Sequence, residues 1–388
     1  MKSKFKPKTI VISVTVDHAI QYHKDLANEL MENGWNVHFI SSGGSALKSL
    51  ARGIETHEVK MERNPSPLKD LKSLIRWITL LKDIRPIAVI AGTPKASMLG
   101  ILAAKFLGVP VRIYWVHGLR LETATGPFRL LLLAIERFTA MNSTKLLAVS
   151  MSLREALKNL KISQSNKIEV LGRGSTQGVE LSIFSRELSD VEKFESLLSL
   201  GLDPKLPVVG FVGRLTADKG IAELRDALIS LSKNGLPVQL LLVGPIEDEM
   251  GLAVIEQLKN EGVKLAAPGR VNDVATYFKL MDVFCLPSYR EGLPNVVLES
   301  FASEVPVVST YITGVIDLIR HEENGLLVPI KSSDQLALAI ERIILNPALA
   351  SKLASAALQD VEHYFDSKKV IESQLRFIEL EVVKILQN

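Results

Sequence analysis

Two glutamates in the last third of the chain, Glu291 and Glu299, have the residue type and spacing of a ligand-binding site. They occur in the segment Ser288–Ser300 (SYREGLPNVVLES), which follows a short apolar strand predicted at Asp282–Pro287. Pro294 suits the first position of a helix, because its missing N–H would be unpaired there. Free N–H groups at a helix N-terminus bind anions, and nearby carboxylates can hold hydroxyl groups. The segment therefore predicts a site for a phosphorylated sugar or nucleotide. The alternative is two ordinary solvated glutamates, since such turns recur throughout α/β proteins.

A second candidate segment, Val208–Gly220 (VVGFVGRLTADKG), contains Arg214 and Lys219 just past an apolar strand. The planar guanidinium of arginine can bind two oxygens of one phosphate, and lysine adds a compact positive charge. At the carboxyl end of a parallel strand this pair suits a diphosphate. The alternative interpretation is that both are exposed loop residues.

His117 follows another apolar strand, within Val111–Leu119 (VRIYWVHGL), at the position expected of a functional loop. By itself a loop histidine is more often a capping or surface group. The glycines of Gly172–Gly178 narrowly miss the dinucleotide fingerprint, which disfavours nicotinamide binding. The sequence contains no phosphate-loop, zinc-protease or nucleophile-elbow motif. It has no convincing Asp-x-Asp pair, and its seven histidines show no ligand spacing, so we expect no metal.

The composition of the 388 residues is that of a globular protein, with 47% hydrophobic and 23% charged residues. The formal net charge is +3, and four lysines of the Met1–Lys8 tail supply more than all of it. The nearly neutral body argues against nucleic-acid binding, which would require a basic face on the fold. The tail could touch an anionic membrane surface, but a solvated terminus is the simpler expectation.

The single cysteine, Cys285, lies in an apolar strand, so a disulfide framework is excluded and a reducing, cytoplasmic compartment fits. The lysine-rich start followed by apolar Thr9–Val16 resembles a signal peptide only faintly, and we expect it to form a buried strand. No apolar run approaches the roughly 20 residues that a membrane-spanning helix needs.

Apolar strands alternate with longer helical patterns along the whole chain, which predicts α/β architecture with parallel sheets covered on both faces. In the first half the predicted strands are Thr9–Val16, Trp35–Ser41, Ile87–Ile90, Val109–Trp115, Lys145–Val149 and Ile168–Leu171. The predicted helices there are Tyr22–Glu32, Leu68–Asp83, Lys95–Leu107, Phe128–Met141 and Ser152–Leu160. In the second half the predicted strands are Val208–Val212, Gln239–Val243, Val283–Leu286 and Val305–Ser309.

The length and this alternation predict two doubly wound domains, with the boundary inside the strand-free stretch Gly178–Leu206. We expect a first domain at residues 1–184, a second at 185–366, and a final helix at 367–388 that crosses back to the first. Ligands of such sheets bind at the carboxyl ends of the strands, so a cleft with the two domains facing each other is the expected site.

The motifs together resemble family 4 glycosyltransferases of the GT-B superfamily, and the resemblance covers nearly the whole chain. It rests on the Glu-x7-Glu pattern Glu291–Glu299 and on five further segments: GRLTADKG at Gly213–Gly220, LLVGPIEDE at Leu241–Glu249, HGLRLE at His117–Glu122, GSTQGVE at Gly174–Glu180 and NGLLVP at Asn324–Pro329. The resemblance implies two Rossmann-like domains, the first binding the acceptor and the second the nucleotide sugar. It also implies retaining, metal-independent transfer of a hexose from a nucleotide-diphosphate sugar, and we expect a UDP-linked donor.

The resemblance also assigns roles to residues of this chain. Arg214 and Lys219 would hold the diphosphate and stabilise the leaving group. Glu299 would bind the ribose hydroxyls, Glu291 would contact the donor sugar, and His117 would lie near the transferred sugar. Backbone groups would bind sugar, phosphate and base at Gly292, Leu293, Asn295, Val296, Arg270 and Val271.

Three positions depart from the family pattern without removing a phosphate ligand: Glu304 replaces a frequent glycine, Glu180 replaces a frequent aspartate, and Asp317 stands where an acid varies. The departures could affect donor preference.

The HGLRLE and GPIEDE segments most resemble bacterial enzymes that extend lipid-linked sugars for surface polysaccharides. The resemblance therefore implies a polyprenyl-diphosphate-linked acceptor at the inner face of the membrane. The segment Leu68–Arg85 is amphipathic and basic, as in helices that lie on membranes, although a helix covering the sheet explains it as well. Its apolar stripe is Leu71, Leu74, Ile75, Ile78 and Leu81.

Two alternative functions are a sugar-nucleotide epimerase and a sugar-nucleotide-binding regulator without catalysis. The sequence makes no prediction of oligomeric state.

Overall fold

A computed structural model describes residues 4–62 and 64–387 of the chain. The contacts divide it into two compact units. The first unit is Met1–Gln177 together with Lys368–Asn388, and the second unit is Gly178–Ser367. The assignment of acceptor binding to the first and donor binding to the second stays a prediction.

The first unit is built on a seven-stranded parallel sheet in the order β3-β2-β1-β4-β5-β6-β7. Its strands are β1 Lys6–Ser13, β2 Asn36–Ser41, β3 Glu55–Glu58, β4 Pro86–Gly92, β5 Val111–Val116, β6 Lys145–Ala148 and β7 Ile168–Glu169. Its helices begin with α1 Lys24–Glu32, α2 Ser45–Lys48, α3 Pro67–Ile84, α4 Pro94–Leu107, α5 Gly126–Asn142 and α6 Met151–Asn159. Short 3-10 turns occupy Asp17–Tyr22, Arg120–Glu122 and Ser165–Lys167. The central strands are buried end to end, as expected of a parallel sheet covered on both faces.

The basic tail enters the sheet sooner than the sequence predicts. Strand β1 starts at Lys6, whose N–H donates to the Arg85 carbonyl at 2.8 Å. The predicted strand began at Thr9, because the lysines before it carry no apolar signal. Residues 1–3 of the predicted tail lie outside the described residues.

Helix α3 covers the sheet with a different face from the one predicted. Its buried residues are Ser73, Trp77, Leu80, Leu81 and Ile84. Trp77 is fully buried beside α4, and a Cβ on Gly100 would lie 3.0 Å from its ring. Of the predicted stripe, Leu81 is buried, Leu74 and Ile78 are partly buried against the core, and Leu71 and Ile75 are more than half exposed. The stripe was misplaced because the helix carries more apolar residues than one face can bury.

The second unit contains a six-stranded parallel sheet in the order β10-β9-β8-β11-β12-β13. Its strands are β8 Val208–Val212, β9 Gln239–Val243, β10 Leu265–Gly269, β11 Val283–Leu286, β12 Val307–Thr310 and β13 Leu326–Val328. Its helices are α7 Leu181–Phe184, α8 Asp190–Ser199, α9 Ile221–Lys233, α10 Glu249–Asn260, α11 Val274–Lys279, α12 Asn295–Ala302, α13 Ser333–Leu345 and α14 Pro347–Asp360. A 3-10 turn occupies Ala217–Lys219. Helix α8 falls in the stretch interpreted as a boundary, and a capping box of Ser189 and Glu192 starts it.

The chain then leaves the second unit and returns to the first. A π-helical turn, Val361–Phe365, follows α14 and leads into the last helix, α15 Ser367–Leu386. From Lys368 onward the helix belongs to the first unit, where the buried side-chain amide of Gln374 donates to the Thr176 carbonyl at 2.9 Å. No helix within residues 4–62 and 64–387 is long and apolar enough to cross a membrane.

In each sheet the strand that comes first in the chain lies in the interior, and later strands lie on both sides of it. In the first unit β1 lies between β2 and β4, and in the second β8 lies between β9 and β11. At such a topological switch point, the loops after two neighbouring strands turn to opposite faces and leave a crevice that binds ligands. The switch point of the second unit lies between β8 and β11.

Candidate active site

The segments that follow β8 and β11, on either side of the switch point in the second unit, carry the four charged residues predicted to bind the diphosphate, the ribose and the donor sugar. Arg214 and Lys219 lie between β8 and α9, and Glu291 lies between β11 and α12. Glu299 is in the second turn of α12. Because β8 and β11 are hydrogen-bonded neighbours, the fold brings both segments to one edge of one sheet.

Glycines allow these loops to touch. A Cβ on Gly220 would lie 2.0 Å from the Pro287 carbonyl oxygen, and one on Gly314 would lie 2.1 Å from the Gly292 carbonyl oxygen. Both glycines also have positive φ angles, +69° and +79°, which other residues adopt at a cost. The loops after β8, β11 and β12 are therefore held against one another by backbone contacts that a side chain would prevent.

Lys219 and Glu291 form an ion pair in this crevice. The Lys219 Nζ lies 2.5 Å from Glu291 Oε1, and the Ser288 hydroxyl donates to the same oxygen at 2.8 Å. Both charged side chains are largely buried. The pair leaves two N–H donors of the ammonium and the second carboxylate oxygen for other partners, so the lysine can hold an anion while the glutamate accepts from a hydroxyl.

Arg214 lies at the mouth of the same crevice. Its guanidinium donates to Glu247 Oε2 at 2.9 Å and remains about one-third exposed. The single contact occupies one side of the planar group, and an arginine has five N–H donors in all. The remaining donors match the geometry of a phosphate.

A second layer of charged residues was missed from the sequence. Arg290 donates to Asp218 Oδ2 at 2.9 Å, and the Thr216 hydroxyl donates to Asp218 Oδ1 at 2.7 Å. Although burial alone would raise it, the pKa of Asp218 is lowered by the Thr216 hydroxyl and by the neighbouring cations, first among them Arg290. The Tyr289 hydroxyl also donates to Glu223 at 2.6 Å. The segment Ser288–Ser300 contains Tyr289 and Arg290, but nothing in its sequence indicates their partners.

Glu299 differs from the other acids because its carboxylate makes no hydrogen bond or ion pair with any part of the chain that the structure describes. Glu299 is the fifth residue of α12, and its side chain is only partly accessible. Burial raises the pKa of Glu299 to about 7. A carboxylate in such surroundings is costly unless a partner supplies hydrogen bonds. The side chain is therefore ready to accept hydrogen bonds from a ligand.

The start of α12 also carries the predicted backbone site. The helix begins at Asn295, so Pro294 is the residue before the first helical position and not the first position itself. The Asn295 Oδ1 is buried without a hydrogen-bond partner within the described residues, and Leu293 is buried. Asn295 and Val296 are the first two residues of the helix, where backbone N–H groups have no intrahelical partner. Gly292 and Leu293 lie in the loop just before it.

Arg270 and Val271 follow β10 at the same edge of the sheet. The Gly244 N–H donates to the Gly269 carbonyl at 2.9 Å, which ties this loop to the one after β9. Arg270 is exposed and Val271 is half-buried. The strand order places β9 between β10 and β8, so this segment lies further along the edge than the charged cluster.

In the first unit, His117 lies just past β5 in a buried aromatic cluster. Its ring is 5.0 Å from that of His23 and 5.5 Å from that of Trp115, between ring centres. Its Nδ1 is hydrogen-bonded to the Thr176 hydroxyl at 3.2 Å, and its Nε2 has no partner within the described residues. Burial lowers the pKa of His117 to about 4, so the imidazole is neutral at pH 7.

His23 was missed from the sequence, where it falls within a predicted helix and carries no signal of its own. It is buried just before α1, and burial lowers its pKa, with a smaller effect from His117. A Cβ on Gly92, at the end of β4, would lie 2.7 Å from His117 Nε2 and 3.0 Å from His23 Nε2. The two imidazoles thus fill the switch-point side of β4, where glycine alone leaves room.

Comparisons with known proteins agree over most of the chain. A family model described as glycosyl transferases group 1 matches residues 193–360, and one described as glycosyltransferase family 4 matches residues 21–175. The capsular polysaccharide biosynthesis glycosyltransferase CapM of Staphylococcus aureus is 34% identical over 371 residues, which cover 95% of this chain and 96% of that protein.

Two further matches are one relative in sequence and one solved structure. The UDP-Gal:alpha-D-GlcNAc-diphosphoundecaprenol alpha-1,3-galactosyltransferase of Escherichia coli is 30% identical over 72% of each chain. The crystal structure of a glycosyltransferase from Rickettsia africae superimposes with a TM-score of 0.78 at 22% identity, covering 98% of this chain and 99% of that one. The chain therefore belongs to the family 4 glycosyltransferases, and its two parallel α/β sheets are those of the GT-B fold.

Proposed function

We propose that this glycosyltransferase moves a hexose, with retention of anomeric configuration, from a UDP-linked sugar to a polyprenyl-diphosphate-linked saccharide in the assembly of a surface polysaccharide. The observation that carries the proposal is the switch point between β8 and β11, where Lys219 and Glu291 form an ion pair, Arg214 lies in the same loop as Lys219, and α12 carries Glu299. The relatives give it direction, since one is named for capsular polysaccharide biosynthesis and another for transfer from UDP-Gal to a diphosphoundecaprenol-linked sugar.

The diphosphate of the donor fits the cations of the crevice. Arg214 would offer its unused N–H groups to one phosphate, and Lys219 would bind the phosphate oxygen that becomes the leaving group. The helix N-terminus of α12 adds unpaired N–H groups beside them. Cleavage of the anomeric bond develops negative charge on the diphosphate, and fixed cations stabilise that charge without reorganising. These side chains supply the charge stabilisation that a metal would otherwise provide, so we propose metal-independent transfer.

The hydroxyl groups of the donor fit the two glutamates. Glu299 lacks a partner within the described residues, so the two ribose hydroxyls would supply the hydrogen bonds that its carboxylate needs. Glu291 keeps one oxygen unused by Lys219 and Ser288, which would accept from a hydroxyl of the donor sugar. The loop at Arg270 and Val271 would receive the base through its backbone.

The reaction step that follows from these assignments needs no enzyme nucleophile. As the anomeric carbon gains oxocarbenium character, the acceptor hydroxyl attacks the face from which the diphosphate leaves. Attack on that face preserves the anomeric configuration, and the departing phosphate oxygen takes the hydroxyl proton. For the neutral His117 of the first unit we propose a hydrogen bond from its unpartnered Nε2 side to a hydroxyl of the transferred sugar.

A lipid-linked acceptor places the enzyme at the cytoplasmic face of a membrane, and α3 has a surface suited to that place. Leu68, Leu71 and Ile75 are 80%, 55% and 57% exposed on this helix. Lys72 lies between Leu71 and Ile75 in sequence, Arg76 follows Ile75, and both cations are also exposed. Apolar side chains with interspersed cations bind anionic lipid surfaces. We propose that this face makes peripheral contact with the membrane.

The test of the proposed function is a transfer assay with purified chain, a panel of nucleotide sugars and a polyprenyl-diphosphate-linked acceptor, with and without a chelator. Lys219→Ala should lower kcat roughly 10²–10³-fold, the range for removal of one charge-stabilising group. Lys233→Ala is the matched control, because Lys233 lies on the solvated end of α9 and pairs there with Glu261.

The same assay separates the alternatives. A changed sugar nucleotide formed without acceptor would indicate an epimerase. Tight donor binding with no turnover on any acceptor would indicate a regulator. Transfer that Lys219→Ala leaves unchanged would refute the proposed site, and inversion of the anomeric configuration would refute retention.

A further inference from the structure

Three side chains with metal-binding atoms meet at the edge of the first unit's sheet, away from its switch point. His38 is on β2, and Glu55 and His57 are on the edge strand β3. In the parallel register His38 lies opposite Glu55, and Ile40 lies opposite His57. Residues two apart on a strand share a face, so Glu55 and His57 point to the same side of the sheet.

The distances between the three side chains match those of a metal site. His38 Nδ1 lies 3.0 Å from His57 Nε2 and 3.5 Å from Glu55 Oε2. One ligand atom from each residue lies within 4.8 Å of those of the other two. Zinc binds histidine nitrogen and carboxylate oxygen at about 2.0–2.2 Å in tetrahedral geometry, which separates neighbouring ligand atoms by about 3.4 Å. A zinc ion would therefore need only small side-chain movements here.

The surroundings favour the ligating form of both imidazoles. His38 is 3% exposed and His57 is half-buried. Burial lowers the pKa of both, and Glu55 opposes that effect. The charge of Lys6 also lowers the pKa of His38, and the charge of Arg76 lowers the pKa of His57. These two cations would weaken the binding of a divalent ion, and the carboxylate of Glu55 offsets part of their charge.

We propose that His38, Glu55 and His57 form a binding site for a divalent transition metal, with zinc as the best match, and that the ion staples the edge strand β3 to β2. Two imidazoles and a carboxylate are ligands that zinc prefers, and the fourth position would hold water. The strand needs such support because it has four residues, with none of them buried. The site is structural and is independent of the proposed transfer reaction.

Asn36 provides an outer partner for the site. Its side-chain amide lies 3.3 Å from His38 Nε2. With a metal on Nδ1, the imidazole proton is on Nε2, and the amide would turn to accept it through its oxygen. Such partners fix the tautomer of a metal-bound histidine, and their loss typically weakens metal binding 10–100-fold.

The experiment uses the full chain without an affinity tag, stripped of metal with a chelator and then dialysed. Zinc is titrated against a chromophoric chelator, Co²⁺ is added separately to report tetrahedral coordination by its visible spectrum, and thermal unfolding is followed with and without zinc. We expect one zinc per chain, a tetrahedral Co²⁺ spectrum and a higher Tm with zinc.

Two variants test the ligands without disturbing the buried His38. Glu55→Gln and His57→Gln should each weaken zinc binding by more than about 100-fold, beyond the loss expected for an outer partner, and should abolish the Tm increase. His363→Gln, which removes an exposed histidine of the second unit, should bind as the parent does. Absence of zinc binding in the parent chain, or equal binding by the double variant Glu55→Gln/His57→Gln, would overturn the proposal.

Discussion

Binding of a nucleotide sugar should strengthen as the pH rises from 6 to 8, because the donor hydroxyls need the ionised form of Glu299. Burial raises the pKa of this carboxyl to about 7, and no group within the described residues pairs with it. In the ligand-free protein it is therefore protonated at pH 6 and ionised at pH 8. Two hydrogen bonds from a ribose would stabilise the ionised form and release the proton.

The size of the effect follows from that pKa. About one-tenth of the carboxyls are ionised at pH 6 and about nine-tenths at pH 8. If the ligand binds the ionised form alone, the Kd should fall about tenfold over this range, which is about 1.4 kcal/mol. At pH 7, binding should release about half a proton per chain.

Isothermal titration calorimetry with UDP-galactose measures both quantities, since the diphosphate of an intact nucleotide sugar does not titrate in this range. Repeating the titration in buffers of different ionisation enthalpy gives the proton release. Glu299→Gln should bind more weakly at pH 8 and show no pH dependence, whereas Glu256→Gln, an exposed residue of α10, should behave as the parent does. A parent Kd that is flat from pH 6 to 8, or a slope that survives in Glu299→Gln, would refute the reasoning.

The ligand-free protein provides an independent check with the opposite sign. The pKa of Glu299 is raised from its ordinary 4.5, so its ionisation opposes folding as the pH rises from about 5 through 7. Glu299→Gln should therefore raise the free energy of unfolding at pH 8 and leave it unchanged at pH 4. The difference in pKa corresponds to about 3 kcal/mol at most, and partial solvent contact should reduce the gain to about 1 kcal/mol.

Three further predictions concern the surface and the backbone. Leu71→Glu should weaken binding to anionic vesicles by about 10–150-fold, because burial of one leucine is worth about 1.5–3 kcal/mol. A vesicle flotation assay measures the binding, Leu345→Glu on the second unit is the control, and equal binding by Leu71→Glu and the parent would contradict the proposed membrane face. Glu304→Gly should raise the free energy of unfolding by about 0.5–1 kcal/mol. The φ angle of Glu304 is +56°, and glycine relieves more backbone strain there than it costs in added freedom of the unfolded chain. Denaturant unfolding measures the change, and a lower free energy of unfolding in the variant would contradict this prediction. Gly220→Ala should separate the loops after β8 and β11 and so lower the affinity for the donor, which calorimetry measures. Gly235→Ala is the control: it also has a positive φ, but no described atom lies within 4 Å of the added Cβ, so it should affect stability alone. Unchanged donor affinity in Gly220→Ala would exclude a role of this loop contact in binding.

The parts of the fold that bury apolar side chains could be predicted from the sequence. Strands β8, β9 and β11 have the predicted ends, because each is a fully buried and predominantly apolar run. Strand β3 was missed since its sequence, ETHE, is polar, and an edge strand with no buried residue leaves no hydrophobic signal. Helix α8 was also missed, although its capping residues Ser189 and Glu192 were visible in the sequence.

The candidate site was predictable to the level of residue type but not of pairing. Arg214 and Lys219 were proposed as diphosphate ligands from their position after a strand, and the structure gives each a carboxylate partner that no local pattern indicates. The lack of a hydrogen-bond partner for Glu299 could not be predicted either, because it depends on the positions of the side chains in every neighbouring loop. The structure also explains why glycine would be favoured in place of Glu304, since the φ angle there is +56°.

The return of the chain to the first unit at α15 affects the order in which the two units can complete their folding during synthesis. A ribosome releases the chain from its N-terminus, and domains generally fold as they emerge. The first unit lacks α15 until the whole of the second unit has been synthesised, because the buried Gln374, which donates to the Thr176 carbonyl, follows the second unit in the chain. The second unit, encoded as one continuous segment, can therefore be complete while the first still exposes the surface that α15 covers. Loss of α15 should thus harm the half of the protein that is synthesised first.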